Sequence, residues 1–165
     1  MPRQPTRPSR SDRASATRVF AASGLQASGS GLQWRDLEAG SGPAPARGST
    51  IRVHYRGRLD SGVVFDESYK RGRPFAFKVG AGVVIRGWDL GILGSEDIPP
   101  MREGGKRVLL IPPDLAYGEF GFGTVVPPGA TLEFEVVLLP TDALALAGEW
   151  LAGRWKDATG FLDAV

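Results

Sequence analysis

Apolar and polar residues alternate most clearly in Ile51 to Leu59. Ile51, Val53, Tyr55 and Leu59 share one face, and Arg52, His54, Arg56 and Arg58 share the other. A period of two marks a half-buried strand. The same alternation returns in Thr131 to Leu139, where Leu132, Phe134, Val136 and Leu138 oppose Glu133 and Glu135. Gln33 to Glu38 and Phe75 to Val79 are shorter extended segments. Lys106 to Ile111 is a strand with an apolar run, stopped by Pro112-Pro113. Asp60-Ser61-Gly62 is a turn and residues 40–48 form a Pro/Gly loop. Ile85 to Leu93 is the one short helix predicted among the strands. Strands that follow one another through turns favour an antiparallel sheet, and one helix on one face makes the class α+β.

The pattern changes at both ends. Residues 1–31 are poor in large apolar side chains and carry Arg3, Arg7, Arg10, Arg13 and Arg18 against Asp12 alone. Such a segment buries too little surface to offset chain entropy and is expected to be disordered. Its Arg- and Ser-rich, acid-poor composition is that of an organelle transit peptide or of a plain disordered tail. After Pro140, Thr141 or Asp142 can cap a helix whose Leu144, Leu151, Trp155 and Leu162 fall on one face. Segment 141–165 is therefore read as a helical extension, either capping the domain or binding a partner. The domain itself is placed at 32–140.

Composition narrows the chemistry. The 165 residues carry a formal net charge of +2, so bulk charge gives no argument for nucleic acid. With no cysteine and one histidine, disulfides, thiol nucleophiles, Cys-based metal sites and two-His sites are excluded within one chain. No apolar run is long enough to span a membrane. Gly80-Ala81-Gly82 lacks the third glycine of a dinucleotide fingerprint, because Ile85 stands there, and Gly104-Gly105-Lys106 is followed by Arg107, not the Ser or Thr of a phosphate loop. His54 is expected to be solvated or locally bonded. Glu133 and Glu135 are expected on a solvated sheet face, and Lys70, Arg71 and Arg73 in a solvated basic loop. What remains is aromatic. Tyr117, Phe120 and Phe122 lie in a glycine-punctuated loop, where aromatics suggest a lined apolar cleft.

The segments VHYRGRL, VFDES, PFAFKVG, VIRGWDLG, GGKRVLLIPPDLAYG and VPPGATLEFEVVLL, in this order from about Leu32 to Leu139, resemble FKBP-type peptidyl-prolyl cis–trans isomerases. The resemblance implies a curled antiparallel sheet of five or so strands wrapped on one short helix. It implies an isomerase that needs no cofactor and no metal and rotates Xaa-Pro bonds in an aromatic pocket. The alternative is a binding module with the same pocket and no useful turnover. By resemblance the catalytic positions are Tyr55, Phe65, Asp66, Tyr117 and Phe134. Phe75, Val84, Ile85, Trp88, Phe122 and Val126 complete substrate binding. Arg71 falls where a basic partner of Asp66 is common. Phe122 stands where well-studied members have histidine, which is expected to alter ligand preference more than activity. The expected partners are proline-containing polypeptides and macrolides such as tacrolimus and rapamycin, bound by a monomer. The IPPM segment within DLGILGSEDIPPMREGGKR looks like plastid members, which with the amino terminus points to a chloroplast, in stroma or thylakoid lumen.

Overall fold

The long alternating segment is the axis of the fold, because each of its edges must find strand partners for its backbone groups. A computed structural model describes residues 24–141. The strands are β1 (Gln26–Ala27), β2 (Gln33–Glu38), β3 (Thr50–Leu59), β4 (Val64–Glu67), β5 (Phe75–Lys78), β6 (Lys106–Ile111) and β7 (Leu132–Leu138). Helix α1 spans Arg86–Leu93, and 3-10 turns cover Tyr69–Arg71 and Pro113–Leu115. All pairings are antiparallel, in the order β1-β2-β6-β7-β3-β4. One edge of β3 pairs with β7; the other is shared, β5 taking Thr50 to Val53 and β4 taking Arg56 to Arg58.

Five of these strands and the helix match the segments predicted from alternation. The short β1 and β4 were not predicted. Strand β1 also corrects the amino-terminal expectation, since Gln26 and Ala27 pair with Trp34 and Gln33 inside the segment expected to be disordered. The helical expectation for 141–165 and the rest of the amino-terminal expectation lie outside the described residues. Among the described residues, no helix is long and apolar enough to cross a membrane.

The inner faces of β2, β3, β6 and β7 bury Trp34, Val53, Tyr55, Leu109, Phe134 and Val136 against α1. The helix lies close because its sheet-facing positions include glycine. A Cβ on Gly87 would stand 2.5 Å from Ile111 Cγ2, and one on Gly91 would stand 2.6 Å from Leu109 Cδ2. This close approach seats Trp88, one residue beyond Gly87, in the middle of the sheet's aromatic residues.

Arg107 ties the helix end to the sheet. Its side chain is 2% exposed. Nη1 donates to the carbonyls of Gly91 (2.8 Å) and Pro99 (2.7 Å), and Nε donates to Asp36 Oδ1 (2.7 Å). Its guanidinium lies over the Trp34 ring at 4.7 Å. The sequence pattern alone placed Arg107 only as a mismatch to a phosphate loop.

The polar face of β3 is covered over much of its length, and the solvated face expected for Glu133 and Glu135 is not what is found. His54 is 2% exposed. Its Nδ1 is 2.9 Å from Ser68 Oγ, and its ring stacks on Tyr69 at 4.9 Å. Arg56 pairs with Glu67 at 2.7 Å. The turn after β4 folds back over this face, because Ser68 N–H donates to Tyr55 O. Of the two choices left for His54, the local bond is the one found. Glu133 is buried, with Arg58 at 3.8 Å, and Glu135 is 2.8 Å from Lys106, so this face carries cross-strand ion pairs.

Candidate active site

A cleft of about 640 Å³ opens on the inner side of the sheet between α1, β4, β5 and the loop after β6. Its floor is Trp88, whose ring centroid lies 4.9 Å from Tyr55 and 5.2 Å from Phe134, both edge-on. Phe65 packs edge-on against Phe134 at 5.5 Å to form one wall. Phe75 stands on the other side, stacked at 5.3 Å on the buried Phe77. Edge-to-face contacts let rings with fixed quadrupoles interlock without facing one another squarely, which fixes the walls as well as burying them.

The walls constrain the backbone behind them. A Cβ on Gly57 would stand 2.6 Å from Phe134 Cε1 and 2.7 Å from Phe65 Cζ. A side chain at 57 would therefore push apart the two rings that form the wall.

One polar group cluster faces this apolar space. Tyr55 Oη donates to Asp66 Oδ2 at 2.6 Å. Arg71 Nη1 donates to Asp66 Oδ1 at 2.9 Å, and its Nη2 donates to the Tyr55 hydroxyl. β3, β4 and the following 3-10 turn thus each contribute one member. Burial works to raise the Asp66 carboxyl, but hydrogen bonds from Tyr55 and Arg71 outweigh it, and the net shift is downward. Burial, then the Asp66 carboxylate, pushes Tyr55 up to about 12. Burial and the charge of Asp66 also push Tyr117 up. At neutral pH the cleft therefore holds an ionised carboxylate and two protonated phenols.

The two remaining sides come from chain ends of secondary elements. Ile85 is the N-cap of α1, with φ −57° and ψ 146°, so its own N–H lies outside the helix ladder. Val84 and Val83 precede it along the rim. Opposite, the loop after Pro113–Leu115 brings Tyr117 and Phe122 together, ring centroids 5.0 Å apart.

Ten of the eleven residues singled out from the sequence line this cleft: Tyr55, Phe65, Asp66, Phe75, Val84, Ile85, Trp88, Tyr117, Phe122 and Phe134. Val126 does not. It is 2% exposed, belongs to the core, and supports the loop from behind by exchanging backbone bonds with Phe122. Val83 lines the cleft and was not singled out; nothing in its local sequence pattern marked it. Arg71 lines it too, which corrects its reading as part of a solvated basic loop and agrees with its place as a partner of Asp66.

Among the described residues, no group of three or more His, Asp or Glu side chains could hold a metal ion. The cleft offers apolar walls, hydroxyl and backbone donors, and one oriented carboxylate. It can desolvate and orient a small apolar ring with flanking carbonyls.

Known proteins resemble this chain in sequence and in fold. The FKBP-type peptidyl-prolyl cis-trans isomerase family matches residues 42–139. The chloroplastic peptidyl-prolyl cis-trans isomerase FKBP13 of Arabidopsis thaliana is 51% identical over 112 residues, covering 65% of this chain and 54% of that protein. The chloroplastic photosynthetic NDH subunit of lumenal location 4, also from Arabidopsis thaliana, is 48% identical over 112 residues, covering 65% of this chain and 52% of that protein. The chain thus spans about half the length of these relatives. The crystal structure of AtFKBP13 superposes with a TM-score of 0.71 at 46% identity, over 73% of this chain and 100% of that one. The family match covers more than half of the sequence, including every residue that lines the cleft, and the chain belongs to the FKBP-type peptidyl-prolyl cis-trans isomerase family.

Proposed function

We propose that this protein accelerates cis–trans rotation about Xaa-Pro peptide bonds in polypeptides. The observation that carries this is the pairing of an aromatic cleft, floored by Trp88, with the Tyr55–Asp66–Arg71 cluster at its edge. Rotation about an Xaa-Pro bond must cross a barrier of roughly 18–20 kcal/mol and takes tens to hundreds of seconds unaided. At the twisted geometry the amide has lost resonance and is less charge-separated than when planar. A dry aromatic cleft favours that state over the planar one, and only such a difference accelerates the step. No bond to the protein forms and no proton moves, which fits a site without a nucleophile–base pair.

In this reading Phe65, Phe75, Trp88 and Phe134 hold the pyrrolidine ring. Ile85 N–H and the Tyr117 hydroxyl donate to the flanking carbonyls. Asp66, fixed by Tyr55 and Arg71, sets the field at the rotating carbonyl. Macrolides such as tacrolimus or rapamycin occupy the same cleft, and the protein acts as a monomer. The folded domain includes the β1–β2 pair, so it begins before residue 32 and runs to 140, with the chain ahead of it as a plastid transit segment and 141–165 as an extension. Relatives named as chloroplastic, one of them lumenal, support a chloroplast location in stroma or lumen.

The relative named as a complex subunit is the observation behind a second reading, a binding module without turnover. One assay separates the two. The cis-to-trans rate of a short Leu-Pro peptide is measured with the full chain, with and without rapamycin. Acceleration abolished by rapamycin supports the isomerase. Rapamycin binding without acceleration supports the binding module.

A further inference from the structure

Helix α1 covers one face of the sheet, and the opposite face carries a second set of buried residues. The strand register defines that outer face. Arg58, Glu133 and Leu110 stand opposite one another across β3, β7 and β6, as do Arg56, Glu135 and Val108, and His54, Val137 and Lys106. Residues paired in this way point to one side of the sheet. Leu110 is 4% exposed and Val137 is 3% exposed, yet neither belongs to the core cluster that packs on α1. A sheet with one bare face leaves the side chains of that face in water. The turn Tyr69–Arg71 lies over His54 and Arg56 on β3. Leu110 stands two strands further on, roughly 10 Å away at ordinary strand spacing, so that turn does not account for its burial.

We propose that the outer face of β6 and β7 is the seat of the carboxy-terminal segment 142–165, which lays the apolar side of a helix across it. The occupant follows from where the chain leaves the sheet. Strand β7 lies between β3 and β6, and the described chain ends three residues beyond it, at Thr141. The segment therefore departs from the middle of the sheet, whose inner face is already taken by α1. A helix of 24 residues is roughly 36 Å long and strands stand roughly 4.8 Å apart, so it can cross β7, β6 and β2 together. Leu144, Leu151, Trp155 and Leu162 give it one apolar side to set on Leu110 and Val137. The other segment outside the described residues, 1–23, has only Met1, Val19 and Phe20 as large apolar side chains and joins the sheet at its edge strand β1. With its apolar side engaged in this way, 142–165 is a layer of the domain and not a helix held out for a partner. The inference does not depend on the isomerase reading, because the cleft opens on the inner side of the sheet.

The chain has no cysteine, so a single introduced thiol reports on one position. Leu110→Cys is made in the full chain, alone and together with Leu151→Ser and Trp155→Ser, and its reaction with an aromatic disulfide reagent is timed. The expected result is slow labelling of Leu110→Cys alone and labelling roughly tenfold faster or more beside Leu151→Ser and Trp155→Ser, as the outer layer opens locally. Leu109→Cys, facing α1 on the same strand, is expected to label equally slowly in both backgrounds. Equal rates at position 110 in the two backgrounds overturn the proposal. So does a parallel rise at position 109, which marks loosening of the whole domain. Faster labelling at 110 with Val19→Ser and Phe20→Ser, and not with Leu151→Ser and Trp155→Ser, overturns it in favour of the amino-terminal segment. Protection at 110 that disappears on dilution overturns it in favour of a second copy of the chain.

Discussion

The Tyr55 hydroxyl donates to Asp66 Oδ2 across 2.6 Å, joining the central strand to the neighbouring edge strand at the mouth of the cleft. Arg71 completes the triangle from the next turn. In the proposed function this carboxylate is part of the machinery and not only a structural tie. Replacing Asp66 by Leu removes the charge and keeps the bulk, and is expected to lower kcat/KM for a Leu-Pro peptide roughly tenfold or more. Hydrogen bonds to charged groups are worth roughly 1.5–3 kcal/mol. Tyr55→Phe, which leaves Asp66 bonded to Arg71, is expected to lose less. Peptide kinetics on both variants, with melting temperatures as a control for folding, check the order.

The buried His54 gives a pH dependence of stability. Burial lowers its pKa below the ordinary 6.5. The unfolded chain therefore binds a proton at this site at a higher pH than the folded one. The stability this group contributes is fully present above about 6.5 and is lost as pH falls through the folded-state value. The melting temperature is expected to fall more steeply below pH 6.5 in the unaltered protein than in His54→Asn. Comparing the two cancels the carboxylates, including Glu133, whose pKa burial raises. Parallel curves would remove His54 as the cause.

Gly57→Ala tests the packing of the cleft wall. Its Cβ would stand within 2.7 Å of both Phe134 and Phe65. Overpacking of this kind typically destabilises by ~1–3 kcal/mol. Urea denaturation should show that loss, and peptide activity should fall with it because the displaced rings form the wall.

Arg107→Lys tests the link between helix and sheet. A lysine ammonium cannot reproduce the planar fork that reaches Gly91 O, Pro99 O and Asp36 together. Leaving buried acceptors unpaired costs about 1–3 kcal/mol. The expected outcome is a loss of that order in chemical denaturation. Amide exchange should quicken at Met101, whose N–H donates to Ile92 O beside the helix end.

The fold was legible where one physical rule dominated. Alternation along Ile51–Leu59 and Thr131–Leu139 marked the two strands at the centre of the sheet, since their inner faces bury Val53, Tyr55, Phe134 and Val136. Strand β4 was not legible as a strand, because its sequence, two apolar residues followed by two acidic ones, shows no alternation. The burial of His54 and Arg56 was not legible either. It depends on the turn at Ser68–Arg71 folding over β3, a tertiary event that a polar strand face does not announce. Arg107 was missed for the same reason, as its partners Asp36, Gly91 and Pro99 lie far apart in sequence. The cleft residues were found through ordered motifs, not periodicity. Val126 shows the limit of that route, for a position can match a motif and still sit behind the wall it supports.

In the proposed function the cleft speeds proline rotation through oriented polar groups at an apolar wall. The most direct measurement is the catalysed cis–trans exchange rate of a Leu-Pro peptide, comparing the full chain with an Asp66→Leu, Tyr117→Phe double variant that still melts cooperatively. The expected result is rapid, rapamycin-sensitive exchange with the unaltered chain and a loss of roughly a hundredfold in the variant, which lacks both the field-setting carboxylate and a donor to a flanking carbonyl. Equal exchange rates for the two proteins would contradict it.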